Sequence, residues 1–304
     1  MAGAKLNYNV NKIDPTYNFT IHGISYVGNP KSHTAMYMTA KIGEKAAGLS
    51  CVEKCVVFAQ TGIQVPQDAR ENNLICFCEN PQLEYIKLVN EMEREKQKNE
   101  RKNRFLYKDG SYISETAVIG ANAYIEPSCR IGHGVVIGDG AVLLTGTVIC
   151  DSVIGDGFVS NEYAVIGANG FTMADDKDGN KVRIPSLGRV VIGDDVEVGA
   201  HDNISRGSAG DTVLEDNVKL DAFVHVGHDA VLHKNIEVTA GTVIGGFDEV
   251  GEDTFIGLNA VLRNRIAIGN HVTIGMGAVV TKSVPDSMTV VGNPAKPMAT
   301  RGGS

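Results

Sequence analysis

Between positions 214 and 280 every sixth residue is aliphatic: Leu214, Leu220, Val226, Leu232, Val238, Ile244, Val250, Ile256, Leu262, Ile268, Ile274 and Val280. A period of six fits neither the 3.6-residue turn of a helix nor the simple alternation of an isolated strand, but it suits short strands joined by repeated corners. Glycine follows the aliphatic residue at Gly227, Gly245, Gly251, Gly257, Gly269 and Gly275. At that density glycine would cost a helix roughly 1 kcal/mol per position, whereas a corner that needs a positive φ or a close backbone approach accepts it. The spacing therefore predicts a solenoid.

The same pattern runs through Ile113, Ile119, Ile125, Ile131, Ile137, Leu143 and Ile149, and then slips. Ile154 and Ile166 hold a new phase, residues 168–188 break it, and Ile192, Val198 and Ile204 resume before a second slip over 205–212. A solenoid tolerates extra residues only where they leave the stack as loops, and such loops commonly form one face of a binding site. The stretch 172–181, with five charged residues and Gly179, reads as one.

Ahead of the repeat, residues 19–80 mix short apolar runs with turn residues, as expected of a small α/β unit. Pro81 suits the first turn of a helix whose apolar stripe is Leu83, Ile86, Val89 and Tyr85. The following residues 91–104 carry four acidic and six basic side chains, interleaved as on a solvated connecting helix. The expected organisation is an α/β unit with its connector over 1–106, the solenoid over 107–285 and a tail over 286–304.

Composition narrows the functional classes. The 304 residues carry a formal charge of −8, which argues against a nucleic-acid partner. No stretch approaches 18 consecutive apolar residues and the first twelve lack the apolar core of a signal peptide, so a cytoplasmic protein without a membrane span is expected. Six cysteines fit a reducing compartment. Cys51, Cys55, Cys76 and Cys78 offer four thiolates, but their spacing is poor for zinc, and Leu74, Cys76 and Cys78 alternate as one face of a buried strand. No metal is expected.

Six-residue repeats resemble the left-handed parallel β-helix of the hexapeptide acyltransferases, in which three hexads make one coil of 18 residues. That resemblance implies a mainly β, trimeric protein with sites in the clefts between subunits. A narrower resemblance runs across both units. Residues 24–31 (Ile-Ser-Tyr-Val-Gly-Asn-Pro-Lys), 78–83 (Cys-Glu-Asn-Pro-Gln-Leu), 166–171 (Ile-Gly-Ala-Asn-Gly-Phe), Ile184-Pro185, 187–194, Arg206-Gly207, Lys219-Leu220-Asp221 and Gly227-His228 follow in order the pattern of the UDP-3-O-acylglucosamine N-acyltransferase family of the lipid A pathway.

What the resemblance implies can be set against the residues themselves. His228 matches the family's catalytic histidine, and an imidazole of pKa about 6.5 suits removal of a proton from an attacking amine; an exposed corner histidine is otherwise ordinarily inert. Gly246, 18 residues on, matches the glycine whose N–H holds a developing oxyanion. Tyr26 matches an aromatic residue that stacks on uracil and Asn29 an amide that reads its edge, although Tyr26 could equally be a strand residue packed under the helix. Phe171, His225 and Arg265 are expected to line the substrate. Gly245, Gly246, Asn264, Lys282, Asn293 and Lys296 are expected along the acyl donor, with Arg301 a further candidate for its phosphates.

The chain also departs from that pattern. A second stacking tyrosine is Ser32, a second histidine is Arg265, and Ala222 and Ser205 replace Asn and Asp. The ending, Val284-Pro285-Asp286 and residues 291–297, resembles that of coenzyme-A-dependent sugar acetyltransferases. These features together point to transfer of an acyl group, acetyl from acetyl-CoA, to the amine of a nucleotide-linked amino sugar. The alternatives are the family's own reaction with an acyl carrier protein as donor, a zinc enzyme like the γ-class carbonic anhydrases using His228 and His233 with His201 or His225, and a non-catalytic solenoid.

Overall fold

The computed structural model describes residues 6–298. Its first unit is built on four parallel strands in chain order, Gly23–Ile24, Thr34–Met38, Val56–Gln60 and Leu74–Cys78. The central strand Val56–Gln60 reads Val-Val-Phe-Ala-Gln with its first four residues buried, as expected where both faces of a parallel sheet are covered. One face packs Ala35, Val56, Phe58 and Leu74 against the helix Pro81–Glu100. The other packs Met36, Met38, Val57 and Ala59 against residues of the 3-10 segment Ala40–Cys51 and the helix Gln67–Asn72.

The long helix begins where expected. Pro81 occupies the first turn and the Asn80 side chain caps it by accepting from Leu83 N–H at 3.1 Å. Its buried stripe is Tyr85, Ile86, Leu88, Val89 and Met92, with Leu83 only half-buried. The charged second half is not simply solvated. Glu93 is buried and Lys96 nearly so, because both face the solenoid: Arg206 approaches Glu93 at 3.6 Å and Asp151 at 2.5 Å, and Lys96 meets Asp151 at 2.5 Å. A helix read as a connector is thus half of an interface.

Three parallel sheets close the solenoid. Sheet 1 runs from Phe105–Lys108 through His225–Val226 to Val279–Val280, and its first pair, Phe105–Lys108 with Ser111–Ser114, is antiparallel. Sheet 2 runs from Val118–Ile119 through Val231–Leu232 to Ala267–Ile268, and sheet 3 from Tyr124–Ile125 through Glu237–Val238 to Lys296–Pro297, whose pairing with Thr289–Val291 is antiparallel. The aliphatic hexad points inward and is almost wholly buried. Each such side chain contributes roughly 1.5–3 kcal/mol by leaving water. Sheet 3 continues past the expected boundary at 285: Thr289–Val291 pairs in parallel with Thr273–Ile274, and Val290 is in the core.

Strand pairing shows what the phase slips do. Ile131 lies beside Ile149 and Leu214 beside Leu232, the regular 18-residue coil. Ile137 pairs with Ile154, one residue short; Ile154 pairs with Ile192, twenty residues longer than a regular coil; and Ile192 pairs with Leu214, four longer. The twenty extra residues leave the stack as a hairpin, Met173–Asp175 with Lys181–Arg183, whose Ala174 and nearby Ile184 join the core of the first unit. The insertion therefore docks the two units together.

Each corner has a division of labour that the glycine spacing only half predicts. The glycines after the aliphatic residue are needed for close approach: a Cβ at Gly227 would fall 2.5 Å from Gly246 N, and one at Gly245 would fall 2.5 Å from Asn264 N. Positive φ belongs to the residue two positions later, as in Asp229 (φ 59°), Phe247 (φ 62°) and Asp253 (φ 54°); Arg265 (φ 66°) holds the same place on a corner without the glycine. Gly140 has φ +71° and open space where a side chain would stand, whereas a Cβ at Gly167 (φ +86°) would collide with the Cys150 carbonyl oxygen. Gly140→Asn should therefore change stability by less than about 1 kcal/mol, since Asn tolerates this conformation. Gly167→Ala should cost several-fold more, and equal shifts of the two thermal midpoints would contradict this assignment of roles.

Candidate active site

The corner from sheet 1 to sheet 2 carries His228. Val226 anchors it in the core, and the next residue beyond the imidazole, Asp229, takes the left-handed conformation that reverses the chain. Asp229 Oδ2 lies 2.7 Å from His228 Nδ1. Because an ionised carboxylate only accepts, Nδ1 carries the proton and Nε2 is left as a base.

The carboxylate itself is unusually well held. Ser208 donates to Oδ2 through its hydroxyl at 2.5 Å and its N–H at 2.8 Å, while the N–H groups of Ala209 and Gly210 donate to Oδ1 at 3.0 and 2.8 Å. Thr212 Oγ1 accepts from Asp229 N–H at 2.8 Å. Burial works to raise this carboxyl, but its hydrogen bonds from His228 and Ser208 outweigh burial and hold it below the usual range. The cradle is made by the four-residue insertion at 205–212, so the second phase slip has a purpose at the site.

Nε2 of His228 faces two neighbours. Thr172 Oγ1, on the hairpin insertion, lies 3.4 Å away, and a Cβ placed on Gly246 would lie 3.1 Å away. Phe247 N–H donates to the His228 carbonyl at 2.9 Å, which sets Gly246 one coil above the imidazole. The Gly246 N–H has no acceptor among the described residues. Gly245 N–H donates to Asp248 at 2.9 Å, which pins this corner from inside. A base and a free N–H donor thus stand side by side.

Phe247 joins the two units at this point. Its ring meets His228 edge-on at 5.1 Å and Tyr26 edge-on at 6.1 Å, and the Arg265 guanidinium stacks 4.0 Å from its centroid. Tyr26 is 45% exposed and is not packed under the helix. It shares a tight turn with Asn29, whose N–H donates to the Tyr26 carbonyl at 2.9 Å, and the Lys45 ammonium lies beside that turn at Gly28. His225 faces outward on the adjoining strand, half-buried, and burial and then His228 push its pKa down. Phe171 is exposed, with Arg183 5.4 Å from its ring.

The residues expected along a donor divide into two groups. Asn264 stands directly above Gly245 and Gly246, and Lys282 follows one coil higher on the same corner. Asn293 and Lys296 belong to the closing segment, and Lys296 pairs with Val291. Residues 292–295 lie at the opposite end of strand Val279–Val280, where Ala295 N–H donates to the Val279 carbonyl and Val279 N–H to that of Gly292. Arg301 lies outside the described residues.

Among the described residues of the chain no group of three or more His, Cys, Asp or Glu is placed to hold a metal. His233 sits between Glu215 and Glu249 at 3.2 and 3.1 Å, and His201 lies on a different corner, stacked between Tyr163 and Phe223. Cys76 and Cys78 lie on the helix-facing side of their strand with Leu74, and Cys55 under the other face. Ser208, Asp229, Phe247 and Lys45 are absent from the motif readings. For Asp229 and Phe247 a signal exists: extending the 18-residue register by one position beyond His228 and Gly246 reaches both.

Comparison with known proteins agrees with this architecture. A family model for the bacterial transferase hexapeptide matches residues 116–151, and one for the hexapeptide repeat of succinyl-transferase matches 249–282. The fold is the left-handed parallel β-helix of hexapeptide-repeat proteins. Its curated relatives carry the name UDP-3-O-acylglucosamine N-acyltransferase. The protein of that name from Coxiella burnetii is 37% identical over 194 residues, 56% of this chain and 55% of its own; that from a Caulobacter strain is 40% identical over 151 residues, 50% and 44%. The chain thus spans about half the length of the curated relatives it matches. Among solved structures, the UDP-N-acetylglucosamine acyltransferases of Bacteroides fragilis and Francisella novicida superpose with TM-scores of 0.56 and 0.58 at 26% identity, each covering 64% of this chain and 74% or 70% of the other.

Asp248 offers a check on the corner. It is buried, and burial raises its carboxyl to about 6 against the opposing pull of backbone N–H donors at Ile266 and Gly245. The folded chain therefore binds this proton more readily than the unfolded one, whose carboxyl titrates near 3.9. Its stabilising contribution is present below that value and is lost as pH rises through about 6. Asp248→Asn removes the titration, so between pH 4 and 7 urea denaturation should show the wild type losing about 2 kcal/mol relative to the variant. Parallel pH profiles would contradict the raised value.

Proposed function

We propose that this protein transfers an acyl group from a thioester to the amine of a nucleotide-linked amino sugar. The observation that carries the proposal is the pairing of His228, held by Asp229, with the unpaired Gly246 N–H one coil above it. The amine nitrogen attacks the thioester carbonyl while His228 Nε2 takes its proton. Gly246 N–H donates to the oxygen as it becomes an anion, and Asp229 stabilises the imidazolium through Nδ1. The C–S bond then breaks, and the leaving thiolate recovers the proton from His228.

The acceptor enters along the seam between the units. Tyr26 presents an aromatic face and Asn29 an amide to a planar base, Lys45 a cation beside them, and Phe247 bridges this turn to His228. The names of the relatives support a uridine-diphosphate amino sugar. Because the relatives are named for the resembled family's reaction, we favour its acyl carrier protein as donor over acetyl-CoA. We propose a cytoplasmic homotrimer, in which the outward apolar stripe of sheet 1, Val243, Val261 and Val279 in register, packs against a neighbouring chain.

Free-thiol release should appear when the protein meets UDP-3-O-acylglucosamine and acyl carrier protein loaded with a 3-hydroxyacyl chain. Acetyl-CoA should give at most a small fraction of that rate, and the reverse ranking would restore the coenzyme A reading. His228→Ala should lower kcat by about 10²–10⁴ with folding intact. Gly246→Ala should lower kcat by at least about 10², since its methyl enters the space beside Nε2. Undiminished kcat in both variants would remove the mechanism.

A further inference from the structure

Thr172 lies at the start of the hairpin insertion, and its neighbours on both sides fix its place. Gly170 N–H donates to Ser186 Oγ at 3.0 Å, and Arg183 Nη1 donates to the Gly170 carbonyl at 2.8 Å. A Cβ at Gly170 would fall 2.9 Å from His228 Cβ, so the insertion leaves the stack pressed against the imidazole. Ile184 N–H donates to the Thr172 carbonyl at 2.9 Å, and Met173 pairs with Arg183 where the hairpin begins. The backbone of this turn is therefore held without any help from the Thr172 hydroxyl.

That hydroxyl has one polar neighbour. Thr172 Oγ1 lies 3.4 Å from His228 Nε2 and has no other hydrogen-bond partner among the described residues. A β-branched side chain has few rotamers to explore, so the oxygen keeps its position on a fixed backbone. Because Nδ1 of His228 holds its proton toward Asp229, Nε2 accepts only. A hydroxyl oxygen accepts as well, and can turn its own hydrogen elsewhere. Two acceptors thus stand side by side for a group that arrives between them.

A hydroxyl nucleophile brings one hydrogen and uses one acceptor, whereas an amine brings at least two. A nitrogen about 3.0 Å from both atoms would see them roughly 70° apart, so each N–H points within about 20° of its acceptor, inside the range of a sound hydrogen bond. We propose that Thr172 is a specificity-determining residue of this site, whose hydroxyl accepts the second N–H of the attacking amine and so selects an amine over a hydroxyl as acyl acceptor. The assignment rests on the acyl-transfer reading of the His228 site. With both hydrogens engaged, the nitrogen lone pair turns away from the two acceptors and is free to meet the thioester carbonyl. The hydrogen taken by His228 leaves with the thiol, and the one held by Thr172 remains as the amide N–H. A hydroxyl in the same place gives Thr172 nothing, and a site built around an N–H rejects a partner lacking it by about tenfold or more.

The full chain is titrated calorimetrically with UDP-3-O-acylglucosamine and with its counterpart bearing a hydroxyl in place of the amine. The two are also compared as acceptors from acyl carrier protein loaded with a 3-hydroxyacyl chain, with amide and ester products separated by mass. The wild type should bind the amine about tenfold more tightly and form amide in preference to ester by at least that factor. Thr172→Val keeps the shape and removes the oxygen. It should bring the two affinities to within about threefold of each other and lower the amide-to-ester ratio about tenfold, with the thermal midpoint unchanged. Thr172→Ser should retain both ratios. Ratios unchanged in Thr172→Val, or lost equally in Thr172→Ser, would overturn the proposal. No thiol release from the wild type, with the affinity ratios as stated, would count against the reaction and uphold the selection of an amine.

Discussion

Every coil of the solenoid rests on the one beneath it through parallel strand pairing, and that pairing admits only one register. The inward aliphatic side chains stack on one another at each strand, so a slip of one residue would turn them outward and the polar residues in. The corners follow from this constraint. Close contact between successive coils excludes a side chain at Gly227 and Gly245, and the chain reverses at Asp229, Phe247 and Arg265, which are carried at the same height on successive coils. The site is a consequence of stacking: a base on one coil, a bare N–H on the next, and an aromatic ring and a guanidinium beside them.

The irregularities matter as much as the repeat. The hairpin inserted between Ile154 and Ile192 supplies Thr172 beside His228 and sends Ala174 and Ile184 into the first unit. The four residues inserted before Leu214 supply three N–H groups and one hydroxyl to Asp229. A regular 18-residue coil has no spare backbone donors to give. The long helix completes the arrangement by carrying Glu93 and Lys96 to Arg206 and Asp151, so the two units meet through a buried charged network as well as apolar packing.

Much of this was legible in the amino-acid order because the hexad is a direct imprint of stacking: an aliphatic residue is required at each inward position. The register ranked His228 above His225 and His233 by placing Gly246 over it. Tyr26 and Asn29 were singled out through their resemblance alone, since nothing local distinguishes that exposed turn from others. Asp229 was hidden because an aspartate in a corner is also what a left-handed turn favours, as at Asp195 and Asp253. Glu93 was hidden because its charge run looks solvated until the partner surface is known.

The central claim is that the seam from Tyr26 through Phe247 to His228 presents an amine to the imidazole. A structure of the protein with a bound UDP-linked amino sugar tests it most directly. The base should lie on the Tyr26 ring, and the sugar's amine nitrogen should come within about 3 Å of His228 Nε2 with the Gly246 N–H on the side of the incoming carbonyl. A sugar hydroxyl at Nε2 in place of the amine, or a nucleotide bound away from Tyr26, would contradict it.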